Sequence, residues 1–243
     1  MEVKRLFDIF LGLLILIIIS PLIIIFCLII YLYDGYNPIY ISSRVGKKGK
    51  LFKIYKLRSM VINADKIGGT STSKSDKRLL PFGKLIRKLK LDELTQIINV
   101  IDGTMSFVGP RPNTPFDVNL YSSQEQRLLS VRPGITDFSS IVFADEGEIL
   151  DKFENPDLAY NQLIRPWKSR LGLFYLEKSN LLLDILLILL TLFNSINRSK
   201  TLKILSKTVM MNKGSISLVE IASRKNDLVP TPPPGFSEPI NRI

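Results

Sequence analysis

Hydrophobic and polar positions divide the chain into stretches of different period. From Ile9 to Tyr33 roughly 25 residues pass without a charge, most of them Ile or Leu, which is long enough to cross a bilayer. No small-residue cleavage motif follows, so this run does not read as a removed signal peptide. Between Ile39 and Met60 the pattern changes to strands around Gly46-Lys-Lys-Gly49. Phe52, Ile54, Lys56 and Arg58 then share one strand face, and its two cations suit either a phosphate or an exposed basic edge. Leu79 to Leu91 reads as an amphipathic helix whose cationic face, with Lys84, Arg87, Lys88 and Lys90, matches anionic headgroups. Leu91 to Ile101 is helical by pattern, with Leu91, Leu94, Ile98 and Ile101 on its buried stripe and Asp102-Gly103 as its stop. Leu181 to Phe193 is a second apolar run broken by Asp184. At about 13 residues it is short for a span and reads as a core or interfacial helix. Asn63 to Lys77 is a polar, mobile loop by composition, and its Gly68-Gly69 does not build a phosphate-binding loop. The tail after Ser223, with Pro230, Pro232, Pro233 and Pro234, reads as extended or disordered.

Two features complicate a simple crossing. Ser20-Pro21 lies near the middle of the first apolar run, where proline removes a backbone donor and bends a helix. Basic residues stand on both flanks: Lys4 and Arg5 before, Arg44, Lys47, Lys48, Lys50 and Lys53 after. That leaves the positive-inside rule without a preference. A kinked spanning helix and a re-entrant hairpin with both ends on one face fit equally well.

Composition narrows the chemistry. The 243 residues suffice for a sizeable core plus an anchor, and the net charge of +11 calls for an anionic partner. Histidine is absent, so there is no Ser-His-Asp triad, no histidine base and no histidine metal ligand. The single cysteine, Cys27, lies in the apolar run and forms no internal disulfide. Catalysis therefore falls to carboxylates, amines, guanidinium groups and hydroxyls, with Mg²⁺ or Mn²⁺ as the matching metals.

Asp92 and Glu93 stand between the basic helix and the constrained turn Gly109-Pro-Arg-Pro112, where flanking prolines fix Arg111. Arg132-Pro-Gly134 repeats that device. Adjacent helical carboxylates diverge by about 100 degrees, so one can attack phosphorus while the other serves a metal or water. Arg87, Arg111 and Arg132 are candidates to neutralise phosphoryl charge. A carboxylate pair that only favours a helix dipole is the plainer reading of these two residues alone.

Taken together, these segments resemble the monotopic bacterial phosphoglycosyl transferases, or bacterial sugar transferases, which initiate capsule, O-antigen and other exopolysaccharide or lipopolysaccharide assembly. The resemblance covers Lys4 to Thr191. It rests on Lys4-Arg-Leu-Phe-Asp8, Ser20-Pro21, Phe52-Lys-Ile-Tyr-Lys-Leu-Arg-Ser-Met60, Leu91-Asp-Glu-Leu-Thr-Gln96, Asn99-Val100, Gly103-Thr-Met-Ser-Phe-Val-Gly-Pro-Arg-Pro112 and Val131-Arg-Pro-Gly-Ile-Thr136. It implies an α+β, mainly helical fold: a re-entrant membrane hairpin over residues 1–38 shaped by Ser20 and Pro21, and a compact cytosolic catalytic domain over 39–200 with a small β element and interfacial amphipathic helices. Residues 201–243 are then an extension, partly disordered from about 223. The implied reaction moves a sugar-1-phosphate from a UDP-sugar to undecaprenyl phosphate through an aspartyl-phosphosugar, releasing UMP. Carried over, Asp92 is the nucleophile, Glu93 the Mg²⁺ ligand or helper carboxylate, and Arg87 and Arg111 phosphate binders, with Lys56, Arg58 and Arg132 in the same pocket. The implied place is the cytoplasmic face of the bacterial inner membrane, with membrane lipids as partners, no nucleic acid, and basic lipid-facing helices compatible with a homodimer. Many members continue Arg-Pro-Gly-Ile-Thr with Gly-Trp-Ala-Gln-Val-Asn-Gly-Arg. Here Asp137 to Glu146 departs from that text, leaving the sugar and the roles of Asp137, Asp145 and Glu146 open. A membrane-attached binding module and a hydrolase using the same carboxylates are the competing classes.

Overall fold

The computed structural model describes residues 2–67 and 76–240. Most of the polar stretch read as a mobile loop, with Gly68-Gly69, lies outside them.

Helix α1 (Glu2–Asp34) takes up the whole first apolar run, 33 residues with Pro21 inside, or about 50 Å at 1.5 Å per residue. It is the one helix among the described residues long and apolar enough to cross a membrane. The helix is not interrupted at Ser20-Pro21, contrary to a helix-break-helix reading, and the reason is local. Pro21 cannot donate to the carbonyl four residues back, and the Ser20 hydroxyl donates to that same Ile17 oxygen at 3.1 Å. Most of α1 is bare: Phe10, Ile17, Ile18 and Ile24 are all exposed. A second flank packs along the folded body: Leu11, Ile15, Leu16 and Ile19 lie against the main core, and Ile23, Phe26 and Cys27 against a smaller cluster. Polar contacts tie both ends. Lys4 Nζ donates to Val108 O at 2.9 Å, Tyr175 Oη at 2.8 Å and Asp184 Oδ2 at 2.5 Å. At the other end Arg58 grips Asp34 with two bonds of 2.6 Å, and the fully buried Ile30 packs with Leu57 and Ile86.

Strands β1 (Ile39–Val45) and β2 (Leu51–Leu57) form the expected antiparallel hairpin, in register from Ile39 opposite Leu57 to Val45 opposite Leu51. After the short α2 (Ala64–Ile67), the basic amphipathic segment is helical only over α3 (Gly83–Lys88), with Ile86 buried and Leu85 and Leu89 exposed beside the lysines. A 3₁₀ turn over Leu91–Gln96 then feeds α4 (Ile97–Asp102). The predicted apolar stripe is displaced there: Ile97 and Val100 are buried while Ile98 is exposed. Three residues per turn before Gln96, in place of 3.6, shift the phase of everything after it.

Strand β3 (Ser106–Val108) runs parallel to β4 (Gly134–Thr136), so the two Pro-Gly-Arg devices lie back to back. A Cβ on Gly134 would fall 2.1 Å from Gly109 N, a contact only glycine permits. Between and after them come α5 (Pro115–Asn119), α6 (Phe138–Val142), α7 (Glu146–Leu150), α8 (Pro156–Ala159) and α9 (Arg165–Lys178), the last entered through a π-helical turn over Tyr160–Ile164. Helix α10 (Leu181–Asn194) buries Leu183, Leu187 and Leu190 and exposes Leu182, Leu189 and Leu192, a core helix with a bare apolar flank.

The core does not end near residue 200. Leu205 and Val209 of α11 (Arg198–Met211) and Leu218 and Ala222 of α12 (Ile216–Ser223) belong to the same cluster as Phe138, Ile141 and Leu171. The proline-rich tail is extended, but it is docked where disorder was expected. Thr231 N donates to Gln162 O at 3.0 Å, Arg170 to Pro232 O at 2.8 Å and Ser122 Oγ to Pro234 O at 2.5 Å, with Pro233 and Pro234 buried. Prolines need few backbone partners, so three side-chain and loop contacts suffice to hold the segment.

Candidate active site

The 3₁₀ turn is clamped onto β2 by its own polar side chains. Thr95 Oγ1 donates to Tyr55 O at 2.9 Å, and Asn99 Nδ2 to Lys53 O at 2.8 Å, while Tyr55 N donates to Asn99 Oδ1 at 3.3 Å. These bonds set the dyad against the end of β2, which carries Lys56. The rigid turn after β3 brings Arg111 in from another side.

Glu93 receives both cations. Lys56 Nζ lies 3.3 Å from its Oε1, Arg111 Nη1 lies 3.3 Å from Oε2, and Arg111 Nη2 closes the fork on Oε1. Burial works against ionisation of Glu93. The charges of Arg111, Lys56 and Lys90 outweigh it and hold the carboxyl well below the usual range.

Asp92 stands in a different environment one residue away. It is 9% exposed, and its carboxylate accepts no hydrogen bond among the described residues. Burial, and then the charge of Glu93, push its pKa up, against the pull of Lys56, Arg87 and Arg111. One carboxylate of the dyad is therefore fully engaged and firmly ionised. The other is unengaged, basic and held among cations.

Of the residues singled out in the sequence, Lys56, Arg87, Asp92, Glu93 and Arg111 gather here. Arg87 donates from Nε to Ser59 Oγ at 2.9 Å, and its charge reaches Asp92. Arg58 does not join them, because β2 ends at Leu57 and the alternation that paired it with Lys56 ends too. It is buried on Asp34 and fastens α1 to the hairpin. Arg132 is elsewhere as well: its Nε donates to Gly103 O at 2.8 Å, beside Arg5, which caps the carbonyls of Val100 and Ile101. Ser20 and Pro21 stay in the anchor.

The open acidic residues also separate. Asp137 is buried and caps α6 through Ser140 N at 2.7 Å. Asp145 is held by Arg198 at 2.8 Å and Arg224 at 3.2 Å. Glu146 pairs with Lys168, which lies outside the motifs read in the sequence. Lys90, placed by pattern on the headgroup-facing side of the basic helix, stands instead at the mouth of the dyad turn. In the structure Lys90 is left-handed (φ 54°) directly before the acidic pair, a conformation that no sequence pattern here signals.

A metal must be tested against these residues. Among the described residues no group of three or more His, Cys, Asp or Glu side chains converges as a metal cage. Mg²⁺ does not need one, since it commonly takes one or two carboxylates plus substrate phosphate oxygens and waters. Asp92 and the Oε2 of Glu93, which carries only the single Arg111 bond, fit that role.

The model of the bacterial sugar transferase family matches residues 1–198. Among curated relatives, a Bacillus subtilis protein provisionally named as an undecaprenyl-phosphate N-acetylgalactosaminyl 1-phosphate transferase is 45% identical over 47% of this chain and 64% of its own. The undecaprenyl-phosphate galactose phosphotransferase of Salmonella typhimurium is 39% identical over 55% of this chain and 31% of its own. A UDP-glucose:undecaprenyl-phosphate glucose-1-phosphate transferase from Klebsiella pneumoniae is 34% identical over 82% of this chain and 41% of its own. The chain thus spans between about a third and two thirds of these relatives' lengths. On the extent of the family match, the chain is a member of the bacterial sugar transferase family.

Proposed function

We propose that this chain transfers a sugar-1-phosphate from a UDP-sugar to undecaprenyl phosphate, releasing UMP, with Asp92 as the nucleophile. The observation that carries the reading is the division of the dyad. A nucleophile needs free lone pairs and a raised basicity, and Asp92 has both. Its attack on the β-phosphorus forms an acyl-phosphate bond, breaks the bridging P–O bond and leaves UMP. Attack by the lipid phosphate oxygen on the same phosphorus then frees the carboxylate and forms the lipid diphosphate. Arg87 and Arg111 flank Asp92, so charge on the phosphoryl oxygens meets fixed cations whose positions need no reorganisation. Glu93 holds Arg111 and Lys56 in place. Mg²⁺, when bound, would be held by Asp92 and Glu93 with the donor's diphosphate, and would supply further charge neutralisation.

The bare apolar length of α1 supports membrane attachment. Its two ends hold the same folded body, through Lys4 and through Asp34, and the helix packs along that body between them, which favours an anchor with both ends on one membrane face over one that crosses. With Lys-rich surface around it, the catalytic body belongs on the cytoplasmic face of the inner membrane. The names of the relatives point to several different sugars, so the donor is left to experiment. The test is UMP release from a panel of UDP-sugars by the detergent-solubilised chain with Mg²⁺ and undecaprenyl phosphate. Release that needs the lipid and disappears in Asp92→Asn supports transfer. Without lipid the aspartyl step frees at most one equivalent of UMP per enzyme; sustained release without lipid makes the chain a hydrolase, and release that survives Asp92→Asn removes the nucleophile from Asp92.

A further inference from the structure

The transfer chemistry uses one side of Arg111. A second polar cluster lies on another side, built by α7, the π-helical turn and α9. Gly172 of α9 abuts the turn that carries Arg111: a Cβ there would fall 3.7 Å from Pro110 Cβ. Lys168 lies four residues earlier on the same face of that helix. Its Nζ pairs with Glu146 Oε2 at 2.5 Å and sits 5.1 Å from the centre of the Tyr160 ring. Tyr160 opens the π-helical turn over Tyr160–Ile164, a rare geometry that recurs at functional sites. The Lys168 and Glu146 side chains keep 16% and 33% of their surface, so the pair is reachable from solvent. The charges of Glu146 and Lys168 both act on Arg111, which places them within electrostatic range of any phosphate held there.

The chemistry of this cluster is not that of a further phosphate site, because ammonium and carboxylate cancel. A paired carboxylate still accepts hydrogen bonds from two neighbouring hydroxyls, the ammonium donates to a hydroxyl oxygen, and an aromatic face packs on the apolar side of a saturated ring. Burial raises the Tyr160 pKa, so its phenol stays a neutral donor. A diphosphate lying on Arg111 carries a hydroxyl-bearing ring at either end: the ribose or the transferred sugar.

We propose that Glu146, Lys168 and Tyr160 form a subsite that recognises a vicinal diol of the donor beside the phosphate on Arg111, and so set donor preference. This rests on the transfer reading above.

The experiment measures kcat and KM of the full chain, wild type beside Glu146→Gln and Lys168→Met. The donors are the preferred UDP-sugar, its deoxy-sugar analogues and its 2′-deoxyuridine analogue. Melting midpoints and calorimetric binding of the same donors are recorded in parallel. For the preferred donor KM should rise about tenfold in each variant, one lost hydrogen-bonded contact of about 1.4 kcal/mol, with kcat within about threefold, the pattern of lost uniform binding. The penalty should vanish for the analogue lacking the recognised hydroxyl. Convergence on a deoxy-sugar assigns the subsite to the transferred sugar, and convergence on 2′-deoxyuridine assigns it to the ribose. Equal losses on every donor with a lowered midpoint make the pair a staple between α7 and α9 and overturn the proposal, as does unchanged discrimination. If the wild type binds UDP-sugars but turns none over, the transfer reading fails. Calorimetry then decides the subsite: discrimination lost in Glu146→Gln supports it, and discrimination retained overturns it.

Discussion

Isosteric amides at the two dyad positions should move stability in opposite directions. Glu93→Gln removes the charge that both Arg111 and Lys56 face. Breaking a wholly buried pair costs about 3–5 kcal/mol. Here the Glu93 side chain is 16% exposed, Lys56 22% and Arg111 34%, so solvent covers part of the loss. About 2 kcal/mol is expected, which for a chain of this size lowers the melting midpoint by about 4–8 °C. Asp92→Asn removes a buried charge that has no partner and a like charge beside it, and relieving such a site commonly yields about 0.5–2 kcal/mol. The pH dependence carries the sign independently. Glu93 has a depressed folded pKa, so its contribution is complete above its unfolded value near 4.3. It declines by about 1.4 kcal/mol per pH unit as pH falls below that toward the folded value. Asp92 has a raised folded pKa, so the gain from Asp92→Asn is complete at neutral pH and fades as pH falls toward about 3.9. Denaturant unfolding of the detergent-solubilised variants at pH 7 and pH 4 measures both. Destabilisation by both amides, or a Glu93→Gln loss that grows on acidification, would refute the assignment of unlike roles to the two carboxylates.

Donor cleavage should lose its acid limb at a pH above the ordinary aspartate range, because burial and Glu93 raise the Asp92 pKa. Arg87→Gln should move that limb further up, read from kcat/KM for UMP release against pH. Glu125 is fully buried against Arg165 at 3.1 Å and Ser169 at 2.6 Å, and Glu125→Ala should cost about 3–5 kcal/mol in chemical denaturation by leaving the guanidinium unpaired. Lys4→Met should cost about 2–4 kcal/mol by stranding Asp184. A double variant with Asp184→Leu should recover most of it, measured as the melting midpoint of the two forms.

The anchor, the hairpin and the dyad were legible because each depends on local pattern or on a motif. What failed did so where locality ends. Ile98 was assigned to the core because a constant helical period was applied across a turn that begins as a 3₁₀ helix. Arg58 was placed on one strand face with Lys56 because alternation was carried one residue past the end of β2. The tail was read as disordered from its prolines, whose docking depends on Ser122, Gln162 and Arg170, residues far away in sequence.

The convergence of Lys56, Glu93 and Arg111 could not be computed from spacing, since three separate elements deliver them. The clamp that fixes their relative positions, Thr95 and Asn99 on the backbone of β2, shows in sequence only as members of two motifs, with no sign of its strand partner. This indicates where the site's precision resides. The dyad sits on a 3₁₀ turn that passes into α4, a junction that alone would position Asp92 loosely. Side-chain bonds to a strand backbone remove that freedom without occupying the Asp92 carboxylate. Removing the clamp should therefore leave the charges present and blur their geometry. Asn99→Ala, with the core around Ile97 and Val100 intact, should lower kcat for UMP release by at least about tenfold while shifting the melting midpoint by only a few degrees. An enzyme that loses stability and rate in proportion would show that the bonds serve the fold alone.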